Sequence, residues 1–312
     1  MPIVPPNFNN SDQAKNFEKI KEKQFVNPIK PKFTFDDLIL SHNITQQVFD
    51  LLSSRSNQSK IFKEWGFNST HKHQDKIAIN LYGPPGTGKT MAAHAIADKL
   101  GQKIIEVNYA DIESKYVGET PKNLQKVFES AMETDSVLFF DEADAMLSRR
   151  VTNMSSSTDT SVNQTRSVLL VLLNNFKGTI IFATNFISNY DPAFMRRILG
   201  HVHFTLPDEL EREKMWKELT PKEFPNELNS EEISKKYSGI SGSDISNAIL
   251  KTAFRVAKEE LNSAPHNYFE ESIKQIIKSK QDNEMVSIKK RKVSEDFVMN
   301  QLNNKGGEAQ KC

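Results

Sequence analysis

From residue 77 onward, short apolar runs and helix-spaced apolar stripes follow one another in regular succession. "IAINLY" (77–82) is a nearly unbroken apolar run, and "KIIEVN" (103–108), "SVLFFDE" (136–142), "TIIFATN" (179–185) and the shorter "HVHFTL" (201–206) repeat the type. Runs of this length and composition predict strands buried on both faces. Between them, "TMAAHAIADKL" (90–100), "TPKNLQKVFESAME" (120–133) and "RSVLLVLLNNF" (166–176) carry apolar residues at helical spacing. Thr120 reads as the cap of the second of these, with Pro121 in its first turn. "NMSSSTDTSVNQT" (153–165), dense in Ser, Thr and Asn, reads as a polar loop. Upstream, "FTFDDLIL" (33–40) leads into a helix, "ITQQVFDLLSS" (44–54), and "NSTHKHQDK" (68–76) reads as a surface loop. Five strands separated by helices predict an α/β core, with a mainly parallel five-stranded sheet covered on both faces.

After Pro207 the strand pattern stops. "DELEREKMWKEL", "SEEISKKYS", "GSDISNAILKTAFRVAKEEL", "YFEESIKQIIKSK" and "SEDFVMNQLNN" all show helical spacing. The chain therefore divides into a flexible N-terminal arm (1–32, with five prolines), an αβα core (33–206), an all-helical domain (207–305) and a disordered tail (306–312).

Composition narrows the chemistry. Across 312 residues the net charge is +1, so no global field favours nucleic acid or an anionic membrane surface. The longest apolar runs, such as "SVLLVLL" (167–173), fall short of the ~20 residues that span a bilayer. "MPIVPPNFNN" has neither a basic start nor an apolar segment of the kind a secretory leader needs. The sole cysteine is Cys312, which excludes an internal disulfide and argues against thiol catalysis. A cytoplasmic location fits; "KKRKV" (289–293) resembles a nuclear-import signal, and such basic runs are more often solvated faces.

The candidate chemistry begins directly after the first strand. "GPPGTGKT" places Gly83, Pro84, Pro85, Gly86, Thr87, Gly88, Lys89 and Thr90 between a strand and a helix, in the order of the phosphate-binding P-loop. Glycines let phosphate oxygens approach the backbone N–H groups, and the following helix aims its N-terminal dipole at them. Lys89 is expected to reach the β- and γ-phosphates and the Thr90 hydroxyl to ligate Mg2+. The loop specifies a nucleoside triphosphate without distinguishing kinase, GTPase and ATPase. Asp141 and Glu142 end a buried strand, at the side of the sheet where ligands bind. Asp141 suits magnesium, and Glu142 suits activation of an attacking water, which favours hydrolysis. Asn185, at the end of another strand, is placed to hold that water near the γ-phosphate.

Together these segments resemble the AAA family, the narrower branch of the AAA+ ATPases, over roughly residues 33–305. The resemblance implies a P-loop NTPase core followed by a helical AAA lid domain, with ATP and Mg2+ as cofactors. "ESKYVGETPKNLQKVF" (113–128) is similar to the family's substrate-gripping pore loop, which assigns Lys115, Tyr116, Val117 and Gly118 to the grip; an aromatic that caps the core is the plainer reading of Tyr116. "NYDPAFMRRILGHVHF" (189–204) resembles the segment that carries arginine fingers, and Arg196 and Arg197 match that position. The commonest pattern, R-x-G-R, is not kept: the arginines are adjacent and residue 201 is His, so either could act in trans. Gly242, Ser243 and Asp244 match the lid motif of AAA proteins proper, and Leu38, Ile39 and Leu40 a segment that lines the adenine pocket. Arg149, Arg150 and Arg166 are further candidates for facing a neighbour.

The resemblance implies ATP hydrolysis by a ring, a homohexamer, that remodels, unfolds or disassembles a protein or peptide substrate through a central pore. A DNA-directed motor and a non-threading, ATP-controlled binding switch remain alternatives. No H-E-x-x-H, helix-turn-helix or basic–aromatic stripe occurs, so neither a fused zinc protease, nucleic acid nor a membrane is expected as a partner.

Overall fold

The structure is a computed structural model and describes residues 27–71, 76–108, 119–147, 157–185 and 190–282. Two compact units divide at Thr205 and Leu206. The first is built on five parallel strands: β1 (Ile77–Tyr82), β2 (Ile104–Asn108), β3 (Val137–Asp141), β4 (Thr179–Thr184) and β5 (Gly200–His203). Their order across the sheet is β2-β3-β4-β1-β5. Register is continuous through its centre: Asn80 lies beside Phe182 on one flank and His201 on the other.

Alternation along the strands sorts side chains into two layers. Ile79, Leu81, Phe139 and Ile181 pack on one face, against α1 (His42–Ser56) and α2 (Lys89–Lys99). Helix α1 starts at Ser41, whose hydroxyl accepts the Ile44 N–H, and it buries Ile44, Val48 and Leu52 at four-residue spacing. In α2 four of the buried residues are alanines, Ala92, Ala93, Ala95 and Ala97, beside Ile96. On the other face, Phe140, Ile180 and Phe182 pack with residues of α3 (Glu119–Glu133), α4 (Asp144–Leu147), α5 (Ser157–Asn175) and α6 (Pro192–Met195).

Two local readings are corrected. The segment 157–165, expected as polar loop, forms the first turns of α5. Thr165 and Arg166 are buried there, so tertiary contact overrides the loop preference of a Ser- and Thr-rich stretch. Helix α3 begins at Glu119, which puts Thr120 inside the helix and buried rather than at its cap. A π-helical turn at Lys60–Glu64 and a 3₁₀ turn at Phe67–Ser69 precede β1, with no periodicity in the sequence to announce them.

The second unit contains α7 (Glu209–Leu219), α8 (Ser230–Lys236), α9 (Gly242–Lys258) and a helix over 266–282. Trp216, Ile233, Ile245, Ala248 and Phe269 form its core. Reciprocal caps start two of its helices, Asp208 with Glu211 on α7 and Ser241 with Asp244 on α9. No described helix is long and apolar enough to cross a membrane. The arm before residue 27 and the expected helix at 294–304 lie outside the described residues.

Candidate nucleotide-hydrolysis site

The P-loop turns at the C-terminal end of β1, which lies between the central strand β4 and the edge strand β5. Gly83 takes a φ of +146°, and a Cβ there would lie 2.0 Å from the carbonyl oxygen of Phe204, so the position admits no side chain. Gly88, with a φ of +94°, is the left-handed cap from which α2 starts. The Thr87 hydroxyl donates to the Pro84 carbonyl at 2.8 Å and closes the loop on itself.

Lys89 is the most constrained cation of the site. Its side chain is 8% exposed. Its Nζ donates to the carbonyls of Gly83 (2.8 Å) and Pro84 (2.9 Å) and to Oδ1 of Asn185 (3.2 Å). Burial pulls its pKa below the ordinary lysine value, while the charges of Asp141 and Asp144 act in the opposite direction. All three acceptors are neutral oxygens, so a phosphate oxygen offered at this point would be the stronger partner.

Beside it, Thr90 Oγ1 donates to Oδ2 of Asp141 at 2.9 Å. A hydroxyl and a carboxylate oxygen side by side are hard donors that fit Mg2+ rather than a thiol-seeking metal. Oδ1 of Asp141 accepts the backbone N–H of Glu142 at 2.9 Å. Glu142 adopts a φ of +50°, a left-handed conformation that strains a side-chain-bearing residue by ~1–3 kcal/mol. That hydrogen bond and the Ala143 N–H to the Ala183 carbonyl (3.0 Å) hold the turn, and the Glu142 carboxylate stands exposed at its tip. Asn185 is fixed from behind by its own N–H, which donates to Oδ2 of Asp144 at 3.3 Å.

The structure thus gathers residues 83–90, Asp141, Glu142 and Asn185 around one point. Leu38 is adjacent: its Cδ2 lies 3.7 Å from the position of a Cβ on Gly88, and Leu38 and Leu40 pack on the α1/α2 layer. Arg196 and Arg197, at the end of α6, differ sharply. Arg197 donates from Nε to Oδ1 of Asn174 and from NH1 to the Ala193 carbonyl, both at 2.7 Å. Arg196 is exposed and makes no side-chain hydrogen bond or ion pair among the described residues. Arg166 is buried on α5 and donates to Asn163 at 3.4 Å, a placement that favours an internal role. Lys115, Tyr116, Val117, Gly118, Arg149 and Arg150 lie outside the described residues.

In the second unit, Asp244 serves the cap of α9 and pairs with Lys280. Burial opposes its ionisation, but the Lys280 ammonium and the bonds from Ser241 outweigh it and lower its pKa. Glu232, His266 and Glu270 cluster nearby without the proton arrangement a metal needs. The Asn229 N–H donates to Nδ1 of His266, so the neutral ring carries its proton on Nε2, the nitrogen that faces the carboxylates.

Sequence reasoning missed the buried polar group behind the site. Asn80 is completely buried in β1, and its Oδ1 accepts from Thr184 and Tyr190, each at 3.4 Å. Burial raises the pKa of the Tyr190 hydroxyl, which keeps it a donor. The one available signal was a lone Asn inside an apolar strand.

Residues 79–206 match the sequence profile of the "ATPase family associated with various cellular activities (AAA)". The chain is 30% identical over 263 residues to a "Cell division protein C" of Sulfolobus acidocaldarius, covering 80% of this chain and 67% of that protein. It is 29% identical over 271 residues to a "Proteasome-activating nucleotidase" of Saccharolobus solfataricus, covering 84% and 67%. Identity is 28% over 259 residues to a "26S proteasome regulatory subunit 6B homolog" of Encephalitozoon cuniculi, covering 80% and 64%. The chain therefore spans about two thirds of the length of these relatives. A P-loop turning into α2, two acids ending β3 and an asparagine ending β4, in a sequence with these likenesses, have one reading: the chain belongs to the AAA family and is an ATP-binding ATPase.

Proposed function

We propose that this ATPase is the subunit of a homohexameric ring that couples hydrolysis to remodelling, unfolding or disassembly of a protein substrate drawn through a central pore. The observation that carries the reading is the contrast at the end of α6: Arg197 is bound within its own subunit, whereas Arg196 stands exposed, two residues past the buried Phe194. An exposed arginine on a short, firmly capped helix suits delivery to the γ-phosphate of an adjacent protomer. The Asp191 carboxylate accepts the Ala193 N–H at 2.8 Å and Pro192 opens the helix, so the bearing element is rigid.

Within one subunit the steps follow from the residues. The P-loop backbone and Lys89 receive the phosphates, with Lys89 exchanging its carbonyl partners for phosphate oxygens. Thr90 and Asp141 would hold Mg2+, which when bound neutralises charge on the β- and γ-phosphates. Glu142, at the tip of its strained turn, takes a proton from the attacking water, and Asn185 orients that water. The neighbour's arginine offsets the charge that develops on the transferred group; such a residue contributes ~10³–10⁵-fold in rate.

The protein substrate rests on Lys115, Tyr116 and Val117 and on the names of the relatives, two of which name the proteasome. We assign the ring to the cytoplasm, since its lone cysteine fits a reducing compartment. Glu142→Gln tests the scheme. It is expected to bind ATP as the parent does, to lose turnover by at least ~10²-fold, and to accumulate as a stable ring on sizing. Turnover at the parental rate would remove Glu142 as the base. In a chain whose turnover is stimulated by an unfolded protein, Tyr116→Ala is expected to abolish the stimulation, and persistent stimulation would remove Tyr116 as the grip.

A further inference from the structure

The short helix that leads into Arg196 is fastened at both ends to one strand. Past its C-terminal end, the Leu199 N–H donates to the Ala78 carbonyl of β1 at 2.8 Å. Before its N-terminal end stands Tyr190, next to the capping residue Asp191. The Tyr190 hydroxyl donates to Oδ1 of Asn80, two residues along β1 from Ala78, at 3.4 Å. The turns between these anchors are continuous. The Phe194 N–H donates to the Asp191 carbonyl at 2.9 Å, the Arg196 N–H to the Pro192 carbonyl at 3.3 Å and the Arg197 N–H to the Phe194 carbonyl at 2.9 Å. Phe194 is completely buried between them. A shift at Tyr190 is therefore carried along α6 to Arg196.

Asn80 serves a second hydroxyl as well. Its Oδ1 accepts from Thr184 at 3.4 Å, so both lone pairs of that oxygen are used. Thr184 stands directly before Asn185, whose Oδ1 accepts from Lys89. Asn80 itself lies three residues before Gly83, where the P-loop begins. One buried oxygen thus holds the end of β4 and the foot of α6. Loss of the Tyr190 hydroxyl alone would not free both. The end of β4 would keep the Thr184 bond to Asn80 and the Asn185 N–H bond to Asp144. The foot of α6 would keep only the Asp191 N–H bond to the Leu147 carbonyl, 2.9 Å, among the bonds described here.

Packing alone does not account for this pair. Asn80, Thr184 and Tyr190 are all buried, and Tyr190 belongs to the apolar cluster of Ala78, Phe182, Phe194 and Ile198. Burying an amide and a phenol there is unfavourable, and bonds of 3.4 Å recover only part of the loss. A leucine and a phenylalanine would fill similar space with no polar atom to desolvate. What the polar pair adds is direction: an O–H aimed at one oxygen fixes a single seat, whereas apolar surfaces can slide over one another.

We propose that Tyr190 is a positioning residue: its hydroxyl, seated on Asn80, fixes the start of α6 to β1 and thereby sets where Arg196 leaves the subunit. Tyr190 acts through α6 and Arg196, not on the reacting atoms. The proposal rests on the reading above that Arg196 completes a neighbour's site. It differs from an ordinary packing role in one respect: loss of the Tyr190 hydroxyl falls on the neighbour's hydrolysis, not on its own.

The experiment is a mixed-subunit measurement with two full-length chains. The donor carries Glu142→Gln, binds ATP, turns none over and supplies Arg196. The acceptor carries Arg196→Ala and keeps its own pocket intact. Mixing them is expected to raise turnover at least ~ten-fold above the sum of the separate chains, because donor arginines complete acceptor sites. Tyr190→Phe, which removes one oxygen and keeps the ring, is then added to one chain at a time. On the donor it is expected to cut the gain at least ~three-fold; on the acceptor it should leave the gain within about 1.5-fold. Asn80→Leu on the donor should also cut the gain, and adding Tyr190→Phe to it should cut the gain no further, because the hydroxyl then has no acceptor to lose. Equal loss from either placement, no loss from the donor placement, or losses that multiply in the double variant overturn the positioning role while leaving the exported arginine standing. No gain in the parent mixture overturns the exported arginine itself, and the positioning role with it. ATP binding by each variant, read by equilibrium titration, shows whether the chain folds. Should Asn80→Leu fail to bind, the two Tyr190→Phe placements decide; a Tyr190→Phe donor that binds ATP normally yet gives the reduced gain is the result that supports the proposal.

Discussion

Adjacent arginines at the end of α6 have opposite surroundings. Arg197 turns back into its own subunit, where Asn174 and the Ala193 carbonyl take its donors. Arg196 has no side-chain hydrogen bond or ion pair among the described residues and faces solvent. Lys89 belongs with Arg197: it too is surrounded by acceptors of its own chain. Among the described residues, Lys89 and Arg197 are thus held by acceptors of their own chain, whereas Arg196 is not. A restrained cation preserves geometry; a solvated one on a rigid helix is available for a charge that its own subunit does not hold.

The comparison breaks most visibly through substitution of the two arginines in turn. Arg196→Ala is expected to reduce turnover by ~10³-fold or more with thermal stability unchanged, since the side chain holds nothing in place. Arg197→Ala should lower the stability of the core unit by about 1–2 kcal/mol through two lost charge-assisted bonds, with a smaller fall in turnover as α6 loosens. Thermal denaturation and steady-state turnover of both variants read the two effects separately. The reverse pattern, with Arg196→Ala unstable and Arg197→Ala stable but inactive, would exchange the roles.

A smaller effect sharpens the same contrast through pH. His94 is buried and His201 half-buried in the core unit, and desolvation lowers the pKa of each from the ordinary 6.5. The unfolded chain binds a proton at each near pH 6.5, the folded chain only at lower pH. Their contribution is therefore fully present above about pH 6.5 and declines as pH falls below it. Urea denaturation is expected to show a lower midpoint at pH 5.5 than at pH 7.5; equal midpoints would mean that neither ring is neutral in the fold.

How much of this was legible in the sequence follows from distance along the chain. The P-loop and the two acids of β3 are contiguous stretches whose chemistry is local, and five strands were visible because each is a short apolar run. The start of α5 was hidden because Ser, Thr and Asn at 157–165 favour loops, and only burial against the core makes them helical there. The different surroundings of Arg196 and Arg197 were not readable, since they depend on Asn174, more than twenty residues away on another helix. Asn80, Thr184, Tyr190 and His201 are unremarkable individually; register between β4, β1 and β5 alone brings them together. The departure from the commonest family pattern at residue 201 gave no sign that the histidine there lies beside Asn80.

The central claim is that hydrolysis needs a second subunit. Turnover per chain, measured across a protein dilution series with oligomer size followed in the same samples, tests it most directly. The account predicts that turnover rises steeply as the ring assembles and approaches zero where the chain is monomeric. A monomer that hydrolyses ATP at the rate of the assembled protein would contradict it.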